Sequence, residues 1–226
     1  MQVNLLYHTP NPQRAVATAA RLCYAPIGAA ELMETMSEAQ VDKVLAVIMK
    51  SGHGSALEHA SYTFAVDGVS RALTHQLVRH RIASFNQQSQ RYVAYSEDPQ
   101  IVLPQTIEDD PECLASFNTA IDVAYATYAS LIEAGIPAED ARYVLPNACI
   151  SKIVVTMNIR ELLHFFEQRC CKRAQWEIRD LALRMLALVE PTAPYIFMDA
   201  GAPCRRGPCK EGSMTCGEPD ERVIRP

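Results

Sequence analysis

The chain has 226 residues, of which 49% are apolar, and carries a formal net charge of −5. That is enough for one sizeable hydrophobic core in one or at most two domains. The acidic balance argues against a general nucleic-acid binder, so any anion site must be a local basic cluster. No apolar stretch is long enough to cross a bilayer, and Met1 to Pro10 lacks the basic start and apolar run of a signal peptide. A cytoplasmic protein without membrane or nucleic-acid partners is the expectation.

In chain order, Val3, Leu5 and Tyr7 alternate as in a short strand over Met1 to Tyr7. Pro12 suits the first turn of a helix reaching about Tyr24. Ser37 and Gln40 form a capping-box pattern, followed by Val41, Val44, Leu45, Ile48 and Met49 at helical spacing, and Gly52 is a natural stop. Tyr62, Phe64 and Val66 predict a strand closed by a turn at Asp67-Gly68. Ser70 is placed to cap a helix running to about Ala83, with His75 and Arg79, and Gln76 and His80, each one turn apart on a basic end.

After a weakly patterned stretch, Asp109, Asp110 and Pro111 open a long helix ended by Gly135, its buried stripe marked by Phe117, Ile121, Tyr125, Tyr128 and Ile132. Pro137 starts a short helix that Pro146 ends. Cys149 to Met157 is rich in β-branched residues and reads as a strand. Asn158 with Glu161 caps a helix carrying Leu162, Phe165 and Phe166, and a last helix spans Ala174 to Val189. Strands and helices mix without strict βαβ alternation. The expected fold is α+β, with helices packed around a modest, mainly antiparallel sheet.

From Arg79 to Arg91 the chain places three arginines and a histidine in thirteen residues, interleaved with Ser84, Asn86, Gln87, Gln88 and Ser89. Guanidinium forks match phosphate oxygens bidentately, and hydroxyls and amides complete such a shell. The competing reading is a solvated helix end whose arginines pair with acids elsewhere. A dinucleotide-binding glycine fingerprint is absent, so any nucleotide bound here would need another binding mode.

The segment RHRIASFNQQSQR matches R-H-R-x-x-S-x-N-x-x-S-x-R, the signature of the flavin-dependent thymidylate synthases, at seven fixed positions. The resemblance continues through HGSALEHASYTF before it, ARYVLP after it, and the run from Asn158 through RAQWEI. It covers a domain of residues 1–198 and leaves 199–226 as a Cys/Gly/Pro-rich tail.

The resemblance implies FAD bound by His53, Ser55, Arg79, His80, Arg81, Gln87, Asn158, Arg160 and His164. It implies dUMP bound by Gln76, Arg79, Gln87, Gln88, Ser89, Gln90, Arg91, Arg142 and Arg169. Many family members carry Glu where Gln87 stands and Asn where His164 stands. Arg169 is the expected catalytic residue, polarising the pyrimidine and favouring ionisation at N3. Ser89 has been considered as a nucleophile in the family, but no base for it is identifiable, and a binding hydroxyl is the expectation. The implied reaction converts dUMP to dTMP with 5,10-methylenetetrahydrofolate as carbon donor and NADPH-reduced FAD as hydride source. The implied assembly is a homotetramer with active sites at subunit interfaces. The alternative is a non-catalytic nucleotide- or RNA-binding module, which the acidic charge disfavours.

Among the other residues, Cys23, Cys113 and Cys149 are expected as buried thiols, and Trp176 as core packing. His8 is expected to be structural or exposed, and His59 and His75 to be hydrogen-bonded fold residues. Cys204, Cys209 and Cys216 leave three options for the tail: a flexible end, a metal site with a fourth ligand such as Cys170 or Cys171, or a redox pair. No metal is assigned to the flavin and nucleotide residues.

Overall fold

The computed structural model describes residues 1–93 and 100–219. Strands β1 (Gln2–His8), β2 (Ser61–Ser70), β3 (Ala83–Gln87) and β4 (Ile150–Asn158) form one antiparallel sheet in the order β1-β2-β4-β3. The helices are α1 (Pro12–Leu22), α2 (Ala29–Thr35), α3 (Glu38–Ser51), α4 (Arg71–Leu77), α5 (Gln105–Glu108), α6 (Pro111–Glu133), α7 (Ala138–Ala141), α8 (Ile159–Arg169), α9 (Trp176–Val189) and α10 (Pro194–Phe197). The fold class is α+β, as the sequence pattern predicts.

Two compact units divide the chain. The smaller comprises residues 1–2, 66–77 and 86–153, and the larger residues 3–65, 78–85 and 154–226.

In the larger unit, α1 packs against α2 and α3, and α8 against α9. The Ser37 hydroxyl accepts from the Gln40 N–H while the Gln40 side chain returns to the Ser37 N–H, so the capping box is complete. Gly52 ends α3 at φ 71°, a left-handed conformation that other residues adopt only with strain. Phe165, Phe166 and Phe197 are fully buried, with Phe166 edge-on to Phe197 at 6.2 Å between ring centroids. Each such ring contributes about 1.5–3 kcal/mol through removal from water. Tyr62 is buried with them, its hydroxyl hydrogen-bonded to Thr192 at 2.8 Å, and burial pushes its pKa up to about 12.

In the smaller unit, Asp110 caps α6 by accepting from the Glu112 and Cys113 N–H groups. Ile121, Tyr125 and Tyr128 are the buried positions of α6, with Phe117 and Ile132 half-buried beside them. Ile121 and Tyr125 pack with Cys149, whose thiol lies 3.2 Å from the Tyr125 hydroxyl. Burial raises the Cys149 pKa, as expected of an inert thiol.

Several local expectations are corrected. β2 runs past Asp67-Gly68 to Ser70, because Gly68 takes a positive φ of 70° within the strand and does not close it. The Ser70 hydroxyl does accept from the Leu73 N–H, but α4 ends at Leu77 and not near Ala83. Cys23 and Cys113 are exposed, and Trp176 is 43% exposed at the start of α9. His59 and His75 are exposed as well. His8 is half-buried and stacks on Tyr62.

Candidate active site

Helix α8 supplies the frame. Ile159, Leu162, Phe165 and Phe166 are buried at helical spacing, which fixes the rotation of the helix. Asn158 caps it through its Oδ1, which accepts from the Glu161 N–H at 2.9 Å, so its amide NH2 is the group left to offer a ligand. Glu161 does not return to the cap in the second half of a capping box. Its carboxylate is buried and reaches across to another part of the chain.

Glu161, Phe165 and Arg169 recur every fourth residue and so form one line down α8. His80 lies along that line. Its Nδ1 is 2.9 Å from Glu161 Oε1, its ring stands edge-on to Phe165 at 5.0 Å, and its Nε2 accepts from Arg169 Nε at 3.1 Å. A guanidinium only donates, so Nε2 carries no proton and Nδ1–H donates to the carboxylate. Burial lowers the His80 pKa below the ordinary histidine value; the Glu161 hydrogen bond opposes this and the Arg169 charge reinforces it. Burial also lowers the pKa of Arg169.

These contacts explain why α4 stops early. Drawing His80 into the buried space beside Glu161 and Phe165 takes the chain out of the helical path. The basic residues Arg79, His80 and Arg81 therefore lie in the connection between α4 and β3, and not on a helix end as their spacing suggests.

Arg79, His80, Arg81, Asn158, Arg160, His164 and Arg169 line one cavity of about 540 Å³, together with Glu161, Gln168 and Ile82. All belong to the larger unit. Among the described residues no acidic group pairs with Arg79 or Arg81, whereas Arg160 Nη1 pairs with Glu58 at 2.5 Å. The Arg160 side chain also lies over Gly54, where an added Cβ would come within 3.1 Å of Nε. The turn bearing His53 and Ser55, both exposed, is thereby held against Arg160.

His80, Glu161 and His164 present ligand atoms within 4.8 Å of one another. Both His80 nitrogens are already engaged and a guanidinium stands beside them, so the trio is a poor place for a cation. His164 itself is exposed, with Nε2 3.0 Å from the Gln168 amide.

The remaining expected residues belong to the smaller unit. Gln76 is half-buried in the last turn of α4. The Gln87 amide donates to Thr74 Oγ1 at 3.1 Å and to Ser151 Oγ at 2.9 Å, and the Gln88 N–H donates to the Lys152 carbonyl. Gln90 is buried. The Ser89 hydroxyl accepts from the Arg91 N–H at 3.2 Å, and no carboxylate or imidazole bonds to it among the described residues. Glu139 joins two arginines: its carboxylate takes Arg91 at 2.7 Å and its carbonyl takes Arg142 Nε at 3.1 Å. The reading in which the arginines of this segment pair with surface acids thus holds for Arg91 and, among the described residues, not for Arg79 or Arg81.

Sequence reasoning passed over Glu161 as a site residue because its capping position already accounted for it. The repeat of Glu161, Phe165 and Arg169 at four-residue intervals was the available signal. Gln168 carried no signal of its own.

The family model described as thymidylate synthase complementing protein matches residues 4–195. A flavin-dependent thymidylate synthase of Geobacter sulfurreducens is 55% identical over 98% of this chain and 96% of its own. That of Clostridium tetani is 48% identical over 98% of this chain and 95% of its own. The Pyrococcus furiosus protein of the same name is 44% identical over 82% of this chain and 78% of its own. The first two matches are long enough to take in most of the tail, and the family model stops before it. With the RHR segment, Asn158, Arg160 and Arg169 gathered on one cavity, this extent of likeness establishes that the chain belongs to the flavin-dependent thymidylate synthase family.

Proposed function

We propose that this protein reductively methylates dUMP to dTMP, taking the carbon from 5,10-methylenetetrahydrofolate and the hydride from FAD reduced by NADPH. The observation that carries the reading is the cavity lined by Arg79, His80, Arg81, Asn158, Arg160, His164 and Arg169, with two of its arginines free of acidic partners among the described residues. Its donor chemistry fits a flavin nucleotide: guanidinium groups suit the pyrophosphate, and the Asn158 amide suits a carbonyl or hydroxyl. Its volume is in the range of small-ligand sites. When bound, the flavin supplies hydride to the methylene-bearing pyrimidine.

In this reading His53, Ser55, Arg79, His80, Arg81, Gln87, Asn158, Arg160 and His164 hold FAD. Gln76, Arg79, Gln87, Gln88, Ser89, Gln90, Arg91, Arg142 and Arg169 hold dUMP. Arg169 is the catalytic cation. Its guanidinium is anchored through Nε on a neutral imidazole, which leaves its terminal nitrogens to face developing negative charge on the pyrimidine. That no carboxylate or imidazole bonds to Ser89 among the described residues supports a binding role. The proposal includes a cytoplasmic homotetramer whose sites are completed across subunit interfaces; no helix among the described residues is long and apolar enough to cross a membrane.

The test is direct. Purified protein is expected to show a flavin absorbance spectrum and to form dTMP from dUMP, methylenetetrahydrofolate and NADPH. A protein that neither binds added FAD nor oxidises NADPH with all substrates present refutes the proposal and leaves a nucleotide-binding module as the better description.

A further inference from the structure

The three tail cysteines do not stand alone. The tail folds back on the end of α8 and the α8–α9 connection, held by Arg206 on Glu167 at 3.0 Å, Arg173 on Glu211 at 2.5 Å, and Lys172 on Glu218. This enclosure forms a second cavity of about 1570 Å³, and Cys170, Cys171, Cys204, Cys209 and Cys216 all line it. Five of the eight cysteines of the chain therefore face one space, although the two groups are more than thirty residues apart in sequence. None of the five is in a disulfide.

We propose that this cavity is a thiolate metal site, with Cys204, Cys209 and Cys216 and one of Cys170 and Cys171 as ligands to zinc or to an iron–sulfur cluster. Four thiolates are the usual complement for either centre. The missing fourth ligand that three tail cysteines imply is supplied by the end of α8. The electrostatics agree. Four thiolates around Zn²⁺ carry a net charge of about −2. Lys172 and Arg173 are paired with Glu218 and Glu211, which line the cavity too. Arg179 and Lys210, unpaired with acids among the described residues, are therefore the lining cations that would offset it.

Among the described residues no three of these sulfurs lie within 4.8 Å of one another. Tetrahedral zinc would hold its sulfurs roughly 3.8 Å apart, so binding zinc draws the tail inward, whereas a cluster spreads its ligands over several irons. The tail is built of short 3-10 turns, Pro203–Arg206 and Gly212–Met214, which can adjust without breaking a long element. His164, Gln168 and Arg169 line both this cavity and the smaller one. The metal would thus brace the end of the helix that presents Arg169. Occupancy of this site does not require the reaction proposed above.

Untagged full-length protein, purified without oxygen, is assayed for zinc, iron and acid-labile sulfide. About one zinc per chain supports the zinc form, and about four iron and four sulfide per chain support the cluster form. Protein isolated without metal is titrated with Co²⁺, whose thiolate complexes absorb beyond 600 nm, clear of the flavin band; a one-to-one endpoint supports the site. Cys204→Ser and Cys209→Ser should lose the metal, while Cys113→Ser, at an exposed position outside the cavity, should keep it. Should those variants fail to fold, the parent metal content and Co²⁺ titration decide. A reduced parent protein that contains no metal and takes up no Co²⁺ overturns the proposal, as do tail cysteines found paired in disulfides after anaerobic purification.

Discussion

The Glu161 carboxylate lies 2.9 Å from Nδ1 of His80 and sets which nitrogen of that ring carries the proton. The opposite nitrogen is then free to accept from Arg169 Nε at 3.1 Å. Glu161→Gln keeps an acceptor but removes the charge, and should lower turnover by about tenfold to a hundredfold through looser positioning of Arg169. Glu161→Ala leaves a buried N–H without an acceptor and should also cost ~1–3 kcal/mol of stability. Steady-state kinetics and denaturant unfolding on both variants separate the two effects. Equal turnover in Glu161→Gln and the parent would remove the positioning role.

A pH dependence of stability follows from the lowered His80 pKa. Above about 6.5 the imidazole is neutral in both folded and unfolded chains and contributes nothing to the difference. As pH falls from there, the unfolded chain takes up the proton first. Stability therefore declines through that window until the folded-state pKa is passed. Unfolding midpoints measured from pH 8 to pH 5 should fall more steeply in the parent than in His80→Asn, provided that variant folds.

Arg169→Ala should reduce turnover by roughly a hundredfold or more, the usual effect of removing one donor aimed at developing charge. The apparent KM for dUMP should rise less than that. A dominant KM effect with unchanged turnover would make Arg169 a binding residue alone.

Arg91 is about half exposed and its acidic partner Glu139 is too. An exposed pair of this kind contributes less than about 1 kcal/mol, so Arg91→Ala should leave the thermal midpoint nearly unchanged. Its expected consequence is a dUMP dissociation constant raised about tenfold to a hundredfold, as for the loss of a charge-assisted contact. Calorimetric titration of dUMP into both proteins tests this.

Gln87 poses a different question, because its side chain is held by two hydroxyls. The Gln87 amide donates to two hydroxyls, and Thr74 Oγ1 itself donates to the Arg71 carbonyl. A carboxylate at this position would need a proton from Ser151, which can rotate to give one, while competing with Arg71 for that of Thr74. Gln87→Glu should fold with a loss of no more than about 1–2 kcal/mol, measured by thermal unfolding. A larger loss would indicate that the two hydroxyls cannot reorient.

Much of this molecule is legible along the chain. The completed Ser37–Gln40 box, the Gly52 stop, the Asp110 cap on α6 and the strand before Asn158 are local patterns, decided by hydrogen bonds and side-chain periods within a few residues. For the RHR segment with its serines and asparagine, residue type and spacing suggest an anion site as an expectation. What lies beyond local pattern was decided by partners distant in sequence. Arg79 to Arg81 leave the helical path because His80 is buried against a carboxylate 81 residues away. Glu161 turns from its own cap to that histidine. The tail thiols meet Cys170 and Cys171 at one cavity because ion pairs return the chain to α8. Capping and periodicity are properties of adjacent residues and survive in the bare sequence. Burial and the pairing of charges depend on which segments meet, and only the folded chain determines that.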